Sequence, residues 1–332
     1  MYEEHPFAEF IRILGKGKNG SRSLTQDEAY RAMKMILAGE AEPVQLGAFL
    51  MLMRVKEESP EELAGFVLAA RESFAVPQGL PEVHIDWSSY AGKRRQLPWF
   101  LLAVMLLAAN GVRVFMHGAG GPHARVYTPE TLAVLGISEC LSFDDVAQQL
   151  AERNFAFMSL GSLSPRLDQI MKLRAMFGLR SPVHTLSRML NPCNAKVMMQ
   201  GIFHPGYRNI HQEAAAILGQ PHMIVLKGEG GEIERNPDGP CLVQSVHDGV
   251  LKNEEWPAMF SGPRHLKDTT MDVRRLPALW RGEIEDEYAE ATVIGTVAIA
   301  LEAMGAVQGI PEAQAKASEL WQRRSTSWLN AA

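Results

Sequence analysis

Cysteine is scarce in this sequence, and its scarcity limits the chemistry that the chain offers. The 332 residues include three cysteines, Cys140, Cys193 and Cys241. Their odd number and wide separation exclude a disulfide framework and a metal cluster, so each one predicts a buried thiol. Long apolar runs are also missing, because the longest one covers residues 97–109 and contains Pro98. Such a run is too short to span a bilayer.

Several motifs of common proteins are absent as well. The N-terminal residues lack the apolar segment of a signal peptide, so we expect a cytoplasmic protein. The sequence contains no G-x-x-x-x-G-K-[ST] phosphate loop, no paired-histidine zinc motif and no nucleophile elbow. These absences argue against a P-loop nucleotidase, a zinc peptidase and a serine hydrolase.

Charge is nearly balanced, with 33 basic residues, 38 acidic residues and a net charge of −5. This balance excludes a generally cationic protein but allows a local basic groove. Residues 166–208 hold seven basic residues against one acidic residue, and smaller basic clusters lie at 16–22, 93–95 and 264–281. A solvated surface explains any single cluster equally well. Four clusters on an acidic chain favour a phosphate-rich partner.

The composition, 46% hydrophobic and 21% charged, is typical of a globular protein, and the length predicts about two domains. Residues 1–75 show helical periodicity and no strand pattern. Thr25 and Ser59 are predicted N-caps, and Pro60 suits the first position of a helix. The sequence therefore predicts a module of four short helices.

A hinge rich in proline and glycine at residues 77–81 separates this module from a different pattern. Short apolar strands then alternate with helices, which is typical of a parallel α/β sheet. We expect a basic helix at 166–190 and a loop-rich stretch at 236–282. The predicted strands are 83–87, 112–116 and 223–226, and the predicted long helices are 97–109 and 285–304.

Two glycine-containing loops, 117–121 and 228–232, each follow a predicted strand. Ligands bind at the carboxyl ends of parallel strands, and free backbone N–H groups there suit an anion. Tight turns alone would also explain the glycines. His117, at the start of the first loop, is equally compatible with a structural role.

The order of these elements resembles the anthranilate phosphoribosyltransferase superfamily, which shares its fold with pyrimidine nucleoside phosphorylases. The family patterns L-G-x-R-T, N-P, G-V-x-x-P and L-G correspond to 177–181, 191–192, 201–205 and 218–219. The resemblance implies an α/β fold with a small helical domain that forms dimers, over residues 1–75 and 166–191. A larger α/β domain with a mainly parallel central sheet would comprise 76–165 and 192–332, across a substrate cleft.

Three family motifs are altered in this sequence. The diphosphate-binding G-T-G-G-D is replaced within residues 89–95, where Lys93-Arg94-Arg95 occupies the turn. The family motif K-H-G-N-R corresponds here to M-H-G-A-G at residues 116–120. The magnesium-binding D-E pair of the family corresponds to Gly231-Glu232, so one of its two carboxylates is missing. Because several groups that position and neutralise a pyrophosphate are missing, we expect loss of phosphoribosyl transfer. The cationic turn and the loop at 15–22 resemble the YbiB-like branch, known for sequence-independent nucleic-acid binding along a basic groove.

The sequence therefore predicts a homodimer that binds DNA or RNA through phosphate contacts, without a cofactor, a catalytic site or a membrane. The predicted nucleic-acid contacts are Lys16, Lys18, Arg22, Lys93, Arg94, Arg95, Lys172, Arg174, Arg188, Arg208, Arg264, Lys267 and Arg275. The predicted cleft and phosphate-loop residues are Gly92, His117, Gly118, Gly120, Gly230 and Glu232.

Two alternatives remain open. One is a phosphoribosyl or glycosyl transferase with a phosphosugar substrate, Mg²⁺ and an unassigned acceptor, using Arg174, His117 and Glu232. The family arginine that contacts the aromatic acid corresponds to Arg174. The other is a regulator that reads a nucleotide in the same cleft.

Overall fold

The chain begins with four helices that pack together. A computed structural model describes residues 3–121, 124–262, 267–268 and 270–330. The four helices are α1 (Ala8–Gly15), α2 (Gln26–Ala38), α3 (Pro43–Lys56) and α4 (Pro60–Glu72).

Local capping sets the ends of these helices, as predicted from the sequence. The Thr25 hydroxyl accepts a hydrogen bond from the backbone of Glu28, and Ser59 does the same for Glu62. Each glutamate in turn accepts a bond from the backbone of its cap, which completes a capping box. Gly39 ends α2 in the left-handed conformation.

A seven-stranded sheet follows, in the order β3-β2-β1-β4-β5-β6-β7. Strands β1 to β5 are parallel, and the last two strands pair antiparallel. This arrangement confirms the predicted α/β fold with a mainly parallel sheet. The strands are β1 (Ile85–Ser89), β2 (Val114–Gly118), β3 (Phe155–Ser159), β4 (Val197–Gly201), β5 (His222–Leu226), β6 (Cys241–His247) and β7 (Val250–Trp256).

Eleven further helices surround the sheet in the described residues, together with short 3₁₀ turns. They are α5 (Phe100–Ala109), α6 (Thr128–Val134), α7 (Phe143–Arg153), α8 (Leu160–Leu163), α9 (Pro165–Lys172), α10 (Arg174–Phe177), α11 (Val183–Leu186), α12 (Pro205–Ile217), α13 (Arg275–Arg281), α14 (Glu287–Ala303) and α15 (Gly309–Gln322).

Both faces of the parallel part of the sheet, β1 to β5, are buried, which explains why these strands read as nearly continuous apolar runs. Trp87 and Met199 face the core that contains α5 and α14. Phe115 and Met198 face the other core, which the N-terminal helices complete. Within the described residues, no helix is both long and apolar enough to cross a membrane.

The structure corrects several predicted boundaries. The first two strands lie two residues later than predicted, and β3, β4 and α12 are elements that the sequence reasoning missed. The predicted basic helix at 166–190 is broken into α9, α10 and α11. Gly178 ends α10 with φ of 69°, and Pro182 stands just before α11. The stretch 236–282 contains the β6–β7 hairpin.

The segment after β3 returns to the N-terminal helices. The Arg166 Nε donates to the Ile36 carbonyl oxygen at 3.1 Å, and the Arg71 Nε donates to the Leu190 carbonyl oxygen at 2.8 Å. Both contacts link α2 or α4 to residues that follow β3. The predicted boundaries of the two domains stay a prediction.

One close approach between α2 and α4 depends on a glycine. A Cβ at Gly65 would lie 2.3 Å from the Gln26 carbonyl oxygen, whereas a Cβ at Gly47 in α3 would meet only Phe177 at 3.9 Å. We expect Gly65→Ala to lower the free energy of unfolding by about 1–3 kcal/mol, through overpacking. Gly47→Ala should raise it by up to about 1 kcal/mol, because alanine favours a helix. Urea unfolding measures both, and equal changes would contradict this packing.

Candidate anion-binding cleft

A cleft of about 570 Å³ lies at the carboxyl ends of β1, β4 and β5. The segments that follow these three strands form one wall, and α3 and the residues around α11 form another. This edge of a parallel sheet is the usual place for a ligand. Arginines dominate the lining: Arg54, Arg94, Arg95, Arg125, Arg180 and Arg188.

These arginines lack acidic partners. Within the part of the chain that the structure describes, none of the six forms an ion pair with a carboxylate. The acids in the lining are Glu57 and Glu58. Burial raises the pKa of the Glu58 carboxyl, which favours its neutral form. The cleft therefore carries a marked excess of positive charge.

The crowding of positive charge shifts the titration of groups in the cleft. Burial, followed by the charges of Arg188 and Arg174, lowers the pKa of Arg180 to about 10. Burial and the neighbouring arginines also lower the pKa of His184 to about 4, so this imidazole is neutral at pH 7. Both shifts follow from the cost of placing like charges together out of water. An anion in the cleft would relieve that cost.

The turn after β1 is filled by the protein itself. Backbone N–H groups of Ala91 and Gly92 both donate to the Glu232 Oε1, each at 2.6 Å. Glu232 is 1% exposed, and its other oxygen, Oε2, is buried without a hydrogen-bond partner in the described structure. Gly92 has φ of 65°, and a Cβ there would lie 2.7 Å from the Tyr127 ring. An internal carboxylate thus takes the amides that an anion would use.

Lys93 has a structural position rather than a surface one. Its side chain is completely buried and forms an ion pair with Glu234, which is also completely buried. The Glu234 Oε2 accepts a hydrogen bond from the Phe100 backbone at the start of α5, at 2.9 Å. The turn directs the ammonium group inwards, which argues against the expected phosphate contact of Lys93.

A magnesium ion does not fit the residues at this turn. The family's carboxylate pair is reduced to Glu232, whose Oε1 already accepts two N–H bonds. Among the described residues, no group of three or more histidine, cysteine or acidic side chains could hold a metal. Magnesium prefers oxygen ligands, usually one or two carboxylates together with substrate phosphates.

A buried network lies beneath the cleft. The Tyr90 Oη is 2.8 Å from the His117 Nδ1, and the His117 Nε2 is 3.2 Å from the Asp86 Oδ1. The Arg188 guanidinium lies over the Tyr90 ring, 5.7 Å from its centroid. His117 is fully buried and does not line the cleft. The network therefore supports Tyr90 and Arg188 from below, and the burial of His117 argues against its predicted place in the cleft.

The remaining predicted loop glycines, Gly118, Gly120 and Gly230, have different surroundings. Gly230 lines the cleft together with Gly231. A Cβ at Gly118 would lie 2.1 Å from the Ser89 carbonyl oxygen, so this glycine permits close strand packing. Gly120 is exposed, with open space around it.

Of the predicted phosphate contacts, Lys93, Arg94, Arg95 and Arg188 border the cleft, although the ammonium group of Lys93 is buried. Arg174 is exposed and close enough to lower the pKa of Arg180. The exposed lysines outside the cleft lining are Lys16, Lys18 and Lys267. Arg264 lies outside the described residues.

Four other predicted contacts have partners or positions that oppose the prediction. Arg22 pairs with Glu28, Lys172 with Asp168, and Arg275 with both Asp268 and Asp286. Arg208 is buried, at 8% exposure. Sequence reasoning also missed lining residues from distant segments, namely Arg54, Arg125, Arg180 and Phe203. Arg180 belongs to the basic segment 166–208, which could have marked it as a candidate. Arg54 and Arg125 lie outside every basic cluster, so no local pattern pointed to them.

We expect Glu232→Ala to open the turn to a small oxyanion. Two buried N–H groups would lose their acceptor, at a cost of about 1–3 kcal/mol each. Inorganic pyrophosphate should then raise the melting temperature of this variant by replacing the carboxylate. Glu232→Gln keeps an acceptor oxygen and serves as the control. An equal rise for the wild type and the alanine variant would contradict the internal carboxylate.

Lys93→Met should destabilise the fold, because it leaves the buried Glu234 without its cation. Breaking a buried pair in this way costs about 3–5 kcal/mol. Arg94→Met, one residue along and exposed, should change the free energy of unfolding by less than about 0.5 kcal/mol. Chemical denaturation compares the two variants. If Lys93→Met were as stable as the wild type but bound a polyanion more weakly, Lys93 would be a phosphate contact after all.

Comparison with known proteins places this site in a family. Residues 8–74 match the description "Glycosyl transferase family, helical bundle domain", and residues 100–324 match "Glycosyl transferase family, a/b domain". An uncharacterized protein of Aquifex aeolicus is 32% identical over 243 residues, 73% of this chain and 73% of that protein. An anthranilate phosphoribosyltransferase of Polynucleobacter necessarius is 29% identical over 236 residues, 70% of this chain and 69% of the relative. The uncharacterized protein YbiB of Escherichia coli is 28% identical, over 70% of this chain and 73% of that protein.

Solved structures share the fold. Anthranilate phosphoribosyltransferase from Thermus thermophilus superposes with a TM-score of 0.75 at 23% identity, covering 99% of this chain and 100% of that one. The enzyme from Saccharomyces cerevisiae in complex with PRPP and Mg has a TM-score of 0.78 at 16% identity, covering 98% and 95%. With both family descriptions matched along its length, the chain belongs to the glycosyl transferase family and has the fold of an anthranilate phosphoribosyltransferase.

Proposed function

We propose that this protein binds the phosphate backbone of a nucleic acid in the arginine cleft. One observation carries the proposal: six arginines line the cleft, and none of them has an acidic partner in the described structure. Elsewhere on the surface, arginines such as Arg22 and Arg275 are neutralised by carboxylates. Unpaired guanidinium groups facing one space fit a ligand with several negative charges.

The N-terminal loop lies beside α3, the helix that supplies Arg54 to the cleft. Arg54 in α3 lines the cleft, and a Cβ at Gly15 would lie 3.3 Å from the neighbouring Leu52. The Lys56 Nζ donates to the Ser23 hydroxyl at 3.1 Å, so the loop that carries Lys16 and Lys18 lies beside the end of α3. A polymer of phosphates can follow such a surface, whereas a single small ligand occupies the cleft alone.

The turn after β1 argues against a sugar diphosphate as the main ligand. Its amides at residues 91 and 92 donate to Glu232, and the next N–H, at Lys93, donates to the Val126 carbonyl oxygen at 2.8 Å. The Arg125 Nη1 donates to the Ala91 carbonyl oxygen, also at 2.8 Å. The backbone groups of the turn are therefore engaged within the protein. Anion binding depends on side chains instead.

A phosphoribosyl or glycosyl transferase is the second candidate, and the comparisons favour it over nucleic-acid binding. Several relatives are named anthranilate phosphoribosyltransferases, and a structural neighbour was solved in complex with PRPP and Mg. The cleft between the helices and the sheet is retained in this chain. Such an enzyme would use Arg174 near the acceptor. Homodimer formation and a cytoplasmic location, both expected from the sequence, stay predictions.

Binding to unrelated DNA and RNA oligomers should weaken steeply with salt, because each phosphate contact releases counterions. The logarithm of the affinity falls by about 0.7–0.9 per contact for each unit in log salt. Replacing Arg94, Arg95 and Arg180 together by glutamine should flatten this slope by about 2 to 3 and weaken all sequences alike. Gel-shift or anisotropy titrations over a salt series give the slopes.

Arg323→Gln is the matched control, since this exposed arginine lies beyond α15 and outside the cleft lining. Lack of binding to every oligomer at low salt would overturn the proposal, and so would a slope that the triple variant leaves unchanged. Incubation with PRPP, Mg²⁺ and a panel of aromatic acids and bases tests the second candidate. A product that disappears in the triple variant would establish a transferase.

A further inference from the structure

Phe203 occupies an unusual place for a large apolar side chain. It follows β4 and precedes α12, at the sheet edge where the cleft opens. Phe203 is 54% exposed and belongs to neither hydrophobic core. A single exposed phenylalanine needs no explanation on an ordinary surface. Phe203, in contrast, lies in the wall of a cleft otherwise dominated by arginines.

The surroundings of Phe203 combine positive charge with other rings. The Lys227 Nζ lies 5.9 Å from the centroid of the Phe203 ring, and the His204 ring meets it edge to face at 5.4 Å. Tyr207, in the first turn of α12, also lines the cleft and accepts a hydrogen bond from Arg54 at 3.2 Å. Arg94 and Arg95 lie in the same lining. Aromatic rings interleaved with cations are what a single strand binds, through its bases and its phosphates.

We propose that Phe203 is a stacking platform for an unpaired nucleobase and that the cleft therefore prefers single strands to duplexes. This inference rests on the proposed function and adds the class of nucleic acid to it. In a duplex both faces of each base are already stacked and the edges are paired. An unpaired base offers a free π-face, and the adjacent phosphates then lie within reach of the arginines.

The dimensions of the cleft agree with this preference. A volume of 570 Å³ falls in the range of small-molecule pockets, about 300–1,000 Å³. Such a space admits individual nucleotides but not the paired interior of a double helix. A duplex would contact only the arginines at the rim, through its backbone, and would leave Phe203 uncovered.

The experiment compares Phe203→Ala and Phe203→Trp with the wild type, using the full chain and three probes. The probes are an oligo(dT), an abasic oligomer of the same length and a duplex of the same length. Phe203→Ala should weaken oligo(dT) binding about 5- to 100-fold, the effect of losing one stacked base. Abasic and duplex binding should be unchanged. Phe203→Trp should retain oligo(dT) binding, because tryptophan also stacks.

Phe203→Trp also supplies a direct signal of contact. Five of the six native tryptophans, Trp87, Trp99, Trp256, Trp280 and Trp321, are buried, so a new tryptophan at position 203 adds an accessible fluorophore. Oligo(dT) should quench this added fluorescence, and the abasic oligomer should leave it unchanged. The wild type measures the background from the native tryptophans.

The outcomes separate this inference from the function on which it rests. Equal weakening of oligo(dT), abasic and duplex binding in Phe203→Ala would overturn stacking while leaving backbone binding in place. Full oligo(dT) affinity in Phe203→Ala would also overturn it. Lack of binding of all three probes to the wild type would remove the proposed function itself. Equal melting temperatures of the variants and the wild type exclude misfolding as the cause of a weakened affinity.

Discussion

The contact between Glu232 and the turn after β1 determines which groups of the cleft remain free to meet a ligand. Two backbone N–H groups, at Ala91 and Gly92, point at one position, which is the geometry of an oxyanion site. The chain places its own carboxylate there, and the backbone of Glu232 is held by close packing on Gly201 and Gly228. The buried pair of Lys93 and Glu234 fixes the same turn from below. The fold has kept the architecture of an anion site while occupying it from within.

The positive charge that faces the cleft is carried by side chains and not by the backbone of the turn. With the amides of the turn engaged, the positive charge of the cleft resides on guanidinium groups that come from separate segments: α3, the turn after β1, the strand-like stretch around Arg125, and the residues around α11. Burial, followed by the neighbouring positive charges, lowers the pKa of Arg180 and of His184. Salt screens the repulsion between such charges.

Local signals in the sequence were sufficient for much of the fold but not for the cleft. The caps at Thr25 and Ser59 act on neighbouring residues, so helix ends could be predicted from the sequence alone. Lys93 and Arg94 are adjacent and chemically similar, yet one is buried against Glu234 and the other is exposed. Only the path of the turn decides this. Arg54 and Arg125 likewise enter the cleft because distant segments meet, and no local pattern reveals such a meeting.

Replacing amides by arginines changes what a cleft can select. Backbone N–H groups in a fixed turn match one oxyanion at one position, which suits a reaction that needs a diphosphate held still. Arginine heads on long side chains accept phosphates at varied spacings and carry no information about base sequence. Under the proposed function, Phe203 would add an apolar face for an unpaired base. The guanidinium groups would then hold a repeating polyanion, and the internal carboxylate of Glu232 would keep a diphosphate from the amides of the turn.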